Sequence, residues 1–141
     1  MLRHDASAYP APVVAYQRLD GGTFRLQQAR GHVVFLDFFA SWCEPCRLEM
    51  PLVESFARTH PEVEVVPIDV GEPRAVAAAF ARRYHLNNVA LDPTTSAQGL
   101  FQIQGFPTVV VIDPKSRIRA NWSGFNPAIQ MAMSNAERSL R

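Results

Sequence analysis

Long apolar runs are missing from this chain of 141 residues. No stretch approaches the roughly 20 consecutive apolar residues that a transmembrane helix needs. An excess of one charge is missing too. Fourteen Lys and Arg against 13 Asp and Glu leave a formal net charge of +1, which argues against general attraction to nucleic acid or to an anionic membrane. Internal repeats, low-complexity tracts and a second domain boundary are absent. Met1 to Pro12 lacks the basic and apolar regions of a signal peptide. Two alternatives follow: a complete chain, or one whose export segment has been cut away. Cysteine is scarcest of all, with two residues. A pair that close cannot be a disulfide framework, which leaves a redox dithiol, half of a zinc site or coincidence.

What is present is ordinary in bulk and specific in detail. Apolar residues make up 48% and charged residues 19%, as in globular proteins, and the length suits one domain with its own core. The two cysteines lie in Trp42-Cys43-Glu44-Pro45-Cys46. Upstream, Val33-Val34-Phe35-Leu36-Asp37-Phe38-Phe39 reads as a strand buried on both faces. Downstream the sequence turns helical, which places Cys43 where a strand ends and a helix begins. There the unpaired N–H groups and the positive end of the helix dipole stabilise a thiolate.

Along the chain, residues 1–12 read as an extended N-terminal arm and 13–141 as one domain. Asp20-Gly21-Gly22 is a hairpin turn between two short strands within Val13 to Leu26. The helix expected over Pro45 to Arg58 offers Leu48, Leu52, Val53 and Phe56 to a core, with Pro51 kinking it. Further strands are expected over Val63–Asp69, Val89–Leu91, Thr108–Ile112 and Arg117–Trp122. Helices are expected over Pro73–Tyr84, near Ala97–Phe101, and after an Asn126 N-cap with Pro127 in the first turn. The last carries Ile129, Met133, Ala136 and Leu140 on one stripe. The pattern is α/β: a three-layer sandwich with a central mixed sheet flanked by helices and an N-terminal β-hairpin.

Disulfide exchange needs an exposed attacking thiolate, a second thiol, a proton acceptor and a place for the partner chain. Cys43 suits the attack, and Cys46, one turn in and more buried, suits resolution. Glu44 puts a negative charge beside the thiolate, raising its pKa, and also favours the first helical turn. A zinc site would need two more ligands. His4, His32, His60 and His85 show no paired spacing, so zinc is set aside. Asp37 is an acid in an apolar strand, and its cost calls for a reason. It is either a strand-end aspartate bonded to a loop or a raised-pKa carboxyl passing a proton to and from Cys46, and the strand pattern favours the second. Glu49 points to the same end of the helix, and by itself reads as a solvated helix residue. In Gly105-Phe106-Pro107-Thr108, a proline opens a β-branched strand. A trans proline ending a loop is the plainer reading. A cis proline would leave the Phe106 backbone free to pair with a bound peptide.

Taken together and in this order, the Trp-Cys-Glu-Pro-Cys-Arg motif, Glu49-Met50-Pro51, and Gly105-Phe106-Pro107-Thr108 leading into Val111-Ile112-Asp113 resemble the thioredoxin superfamily. More narrowly they resemble the TlpA/ResA-type thiol-disulfide oxidoreductases, over roughly residues 13 to 140. The resemblance implies a thioredoxin fold, Cys43 as nucleophile, Cys46 as resolving thiol and Pro107 as a cis proline facing the dithiol. Trp42, Phe106 and Pro107 then form the substrate-binding surface. Asp37 matches the buried acid of thioredoxin, and Glu49 the acid that ResA-like proteins carry just past their second cysteine.

The expected function is therefore reduction of protein disulfides without any cofactor. The alternatives are a disulfide-forming oxidant and a non-catalytic module that binds partners through the same groove. Peroxidase chemistry wants a threonine and a proline framing a single cysteine, which is not evident around Cys43. Expected partners are a protein or thiol disulfide as substrate and an upstream electron-donor thiol protein, with no nucleic acid, the protein being a monomer. The resemblance implies a periplasmic or extracytoplasmic location with a signal or anchor outside this sequence; the alternative is cytoplasmic.

Overall fold

The computed structural model describes residues 8–141. Among the described residues, eight strands form one sheet in the order β1-β8-β7-β4-β5-β6-β2-β3. They are β1 (Tyr9–Pro10), β2 (Ala15–Arg18), β3 (Thr23–Arg25), β4 (Val34–Phe39), β5 (Glu64–Val70), β6 (Ala90–Asp92), β7 (Thr108–Ile112) and β8 (Arg117–Ser123). The described residues also form four α-helices: α1 (Glu44–Thr59), α2 (Arg74–Tyr84), α3 (Ser96–Leu100) and α4 (Ile129–Leu140). A short 3₁₀ turn covers Leu26–Ala29.

β4 sits near the middle, parallel to β5 and antiparallel to β7, and all six of its residues are buried. That is why its sequence is a continuous apolar run rather than an alternation. Val34, Leu36 and Phe38 enter a core with the N-terminal hairpin, Ala97 and Phe101. Phe35, on the other face, packs with Val53 and Phe56 of α1 and Ile129 and Met133 of α4. Phe39 continues that face into a third cluster with Cys43, Cys46, Met50 and Phe80. Asp37 lies between Phe35 and Phe39 on this face, since strand side chains repeat every two residues.

The hairpin turn forms as expected. Gly21 and Gly22 both take positive φ, 99° and 79°, which glycine tolerates without steric cost. Of the N-terminal arm expected over 1–12, residues 1–7 lie outside the described residues. Of the rest, Tyr9 and Pro10 pair with β8 as an edge strand, and the Ala11 N–H donates to the Ser116 carbonyl at 2.9 Å.

Two helix expectations are corrected. Leu48 does not face the core but is 56% exposed, while Cys46, Glu49, Met50, Val53 and Phe56 are buried. Those residues follow the i, i+3, i+4, i+7 rhythm of one helical stripe, and Leu48 falls on the far side of it. Asn126 does not cap α4 directly, because the helix begins at Ile129. Its side-chain Oδ1 accepts from the Ala128 N–H at 2.9 Å and its carbonyl accepts from Ile129 at 3.0 Å, so it organises the turn that leads into the helix.

Candidate active site

Cys43 is the N-cap of α1, with extended backbone angles (φ −86°, ψ 109°). Its Sγ accepts a hydrogen bond from the Cys46 N–H at 3.2 Å, a role an N-cap oxygen usually plays. The two cysteines form a disulfide with Cα atoms 5.3 Å apart. Pro45 occupies the first helical turn, where a missing N–H costs nothing. The expectation of an exposed Cys43 is corrected: it is 4% exposed and Cys46 1%. Both sulfurs belong to the apolar cluster of Phe39, Met50 and Phe80, against which Phe106 also packs.

Trp42 and Phe106 form the rim. Trp42 is 69% exposed and meets the Phe106 ring edge-on, with centroids 5.9 Å apart. The Phe106–Pro107 peptide is cis, and Pro107 is buried. The Thr108 hydroxyl donates to the Gly105 carbonyl at 2.6 Å, and the Gly124 N–H donates to the Pro107 carbonyl at 2.8 Å, so the loop is held from both sides.

The two acids come together. Asp37 pairs in register with Pro67 on one side and Val109 on the other and is fully enclosed. Among the described residues, no group donates to its Oδ1. Burial, and then the neighbouring Glu49 charge, push its carboxyl well above the ordinary aspartate range. Glu49 is not solvated, as its place in the sequence suggested, but 1% exposed. Burial raises its pKa too, opposed by the Asn126 N–H, which donates to Oε2 at 2.8 Å. Two neighbouring buried carboxyls beside the first turns of α1 thus both favour their protonated forms. Glu44 is exposed in the first turn of the helix.

Sequence reasoning missed a third feature. Glu72 accepts from the Ser41 N–H at 2.8 Å and the Ser41 hydroxyl at 2.7 Å, two residues ahead of Cys43. Asp69, buried at the end of β5, lies beside Glu72. The signal that flagged Asp37, an acid inside an apolar run, was equally present in Val65-Val66-Pro67-Ile68-Asp69-Val70. Among the described residues, no three His, Cys, Asp or Glu side chains are grouped to hold a metal.

Comparison with known proteins agrees with this geometry. Residues 8–121 match the AhpC/TSA family, and the chain belongs to that family. It is 30% identical over 133 residues to the thiol-disulfide oxidoreductase ResA of Geobacillus kaustophilus, covering 92% of this chain and 74% of that protein. It is also 30% identical over 112 residues to ResA of Geobacillus thermodenitrificans, covering 77% of this chain and 64% of the relative's length. Among solved structures, a Chlorobium tepidum protein provisionally named thiol:disulfide interchange protein DsbE superposes with a TM-score of 0.85. It shares 28% identity, with 93% of this chain and 94% of that one covered. The thioredoxin-like fold and the TlpA/ResA resemblance read from the motifs are thus borne out.

Proposed function

We propose that this member of the AhpC/TSA family is a thiol-disulfide oxidoreductase that reduces disulfides of other proteins through Cys43 and Cys46. The observation that carries this reading is a disulfide formed by the chain's two cysteines at the N-cap of a helix. In the reduced protein, the Cys43 thiolate attacks one sulfur of a substrate disulfide. A mixed disulfide forms and one substrate thiolate leaves. The Cys46 thiol loses its proton to the Asp37–Glu49 pair and attacks the Cys43 sulfur. The Cys43–Cys46 bond forms, and the second substrate thiolate departs and is protonated. Two electrons have then passed from the dithiol to the substrate, the Cys46 proton and one proton from solvent complete its two thiols, and an upstream thiol protein restores the dithiol.

Trp42 and Phe106 offer the substrate apolar contact, and the Phe106 backbone offers it a hydrogen-bonding edge. Reduction is favoured over oxidation by charge: Glu44 and any ionised fraction of Asp37 or Glu49 disfavour the thiolate and so destabilise the reduced form. No helix among the described residues is long and apolar enough to cross a membrane. We place the protein in an extracytoplasmic compartment as a monomer. The deciding assay is reduction of insulin disulfides with a regenerating dithiol. Turnover is expected, and its absence in a protein whose Cys43–Cys46 pair still cycles would leave the partner-binding module as the function.

A further inference from the structure

Glu72 holds the approach to the dithiol. Both of its oxygens are taken by Ser41, whose carbonyl also accepts from the Arg47 guanidinium at 3.0 Å. Ser41 is thereby tied to the loop after β5 and to α1, immediately before Trp42 and Cys43. Asp69 stands behind Glu72, opposite Phe39 in β4 and Leu91 in β6, with no measurable contact to solvent. Among the described residues, no N–H or O–H donates to either oxygen of Asp69. What faces it is the Glu72 carboxylate. Two carboxylates in contact are both acceptors, so they hydrogen-bond only when one carries a proton. Glu72 already accepts from Ser41, which leaves Asp69 as the donor.

We propose that Asp69 donates a proton to Glu72, and that this carboxyl–carboxylate pair is a pH-sensitive clamp on the Ser41 approach to Cys43. The proposal rests on the disulfide-exchange reading for its consequence, though not for its geometry. Asp69 is a positioning residue, acting through Glu72 and Ser41. Its carboxyl is raised to about 8 by burial, by the hydrogen bond to Glu72 and by the Glu72 charge. Burial works against Glu72, but the bonds from Asp69 and Ser41 bring it below the ordinary glutamate value. The surrounding charged groups are otherwise engaged. Asp92 of β6 spends its carboxylate on Thr94, Ser96 and the Ala97 N–H. Arg74 of α2 points at the Leu19 and Arg18 carbonyls, Arg47 of α1 at the Ser41 carbonyl, and Arg83 of α2 lies over the Tyr84 ring, 5.7 Å from its centroid. On the α1 side, the Glu49 charge acts on Asp37, and Glu49 accepts from the Asn126 N–H. When Asp69 ionises to solvent, Glu72 loses its donor and meets a like charge, and its hold on Ser41 weakens.

The test reads Ser41 directly. The backbone amide of Ser41 is followed by NMR from pH 6 to 9.5 in the oxidised protein, in wild type and in Asp69→Asn. An asparagine donates to Glu72 at every pH. Wild type is expected to show a Ser41 transition centred near 8, and Asp69→Asn to lose it while keeping the low-pH position. A Ser41 amide that does not titrate in wild type, or that titrates identically in Asp69→Asn, overturns the clamp. The ratio of wild-type to Asp69→Asn rates for reduction of the Cys43–Cys46 disulfide by dithiothreitol should change through the same midpoint; a flat ratio overturns the link to the dithiol. If Asp69→Asn does not fold, Glu72→Gln replaces it. Removing the neighbouring charge should lower the Asp69 midpoint, read from its carboxyl ¹³C shift, and an unmoved midpoint refutes the pairing. None of these readouts requires a protein substrate, so they stand or fall separately from insulin turnover.

Discussion

The Glu49 carboxylate accepts the Asn126 backbone N–H at 2.8 Å across a separation of 77 residues, tying the dithiol helix to the turn before α4. This bond distinguishes the two acids. Glu49 has an oriented oxygen and a donor that favours its charged form. Asp37 has an oxygen without a donor among the described residues and therefore favours the protonated form more strongly. In the proposed mechanism, Asp37 would be the proton store and Glu49 the group that sets its charge environment.

Cys46→Ser should trap a mixed disulfide between Cys43 and a substrate protein, and Cys43→Ser should trap none. Once the protein is reduced, Cys43 alone should alkylate readily, since it caps the helix and Cys46 lies deeper. Mass spectrometry after a short iodoacetamide pulse checks this. Equal labelling of both thiols would reverse the assigned roles or remove them.

Asp37→Asn should slow substrate reduction by roughly tenfold, less than the 10²–10⁴ a positioned acid–base group supplies, because Glu49 remains. Glu49→Gln is the companion, and the double variant should be slower than either. Rates measured from pH 6 to 9 separate them. Unchanged rates in Asp37→Asn with a large loss in Glu49→Gln would transfer the proton store to Glu49.

The dithiol should be reducing, with a potential nearer that of thioredoxin (about −270 mV) than of DsbA (about −120 mV). Redox titration against dithiothreitol or glutathione buffers measures it. A value at the oxidising end would mean the nearby acids do not govern the thiolate, and the disulfide-forming reading would replace reduction.

Stability should fall as pH rises from about 4, where an unfolded aspartate ionises, to about 8, where Asp69 ionises in the folded protein. Between these values the native state binds the extra proton, so unfolding is favoured by raising pH. Asp37 and Glu49 act in the same direction. Glu72 and Asp113, whose carboxyls lie below their usual range, act oppositely and lose their contribution as pH falls. Urea unfolding from pH 5 to 9 should show a shallower decline in Asp69→Asn than in wild type. Parallel curves would show that Asp69 titrates normally.

Phe35→Ala should destabilise the fold by about 3–5 kcal/mol and leave the potential of the dithiol unchanged. Phe35 is fully buried and meets Phe56 edge-on with ring centroids 5.7 Å apart, in the cluster that holds α1 and α4 to the sheet rather than the one around the sulfurs. Denaturation and redox titration on the same sample check both halves.

By itself the sequence determined the local events. The apolar run at 34–39 reads as a doubly covered strand, and Cys43 at its end, followed by Pro45, as the opening of a helix. Thr108–Ile112 was legible from β-branching, the hairpin from two adjacent glycines, and the family from the order of its motifs. What depended on partners far along the chain was decided by the tertiary structure alone. Glu49 reads as a surface residue because acids on helices usually are. It is buried because Asn126, 77 residues on, supplies the hydrogen bond that offsets part of the cost. Leu48 faces outward because α1 meets the sheet along the 46–49–53–56 stripe. Cys43 is covered because Phe106, from a distant loop, packs onto its cluster. Asp69 and Glu72 are three residues apart in sequence, yet their joint hold on Ser41 arises only when β4 and β5 lie side by side. Periodicity and propensity act over a few residues, whereas burial, and the proton affinities it changes, depend on what the fold brings across.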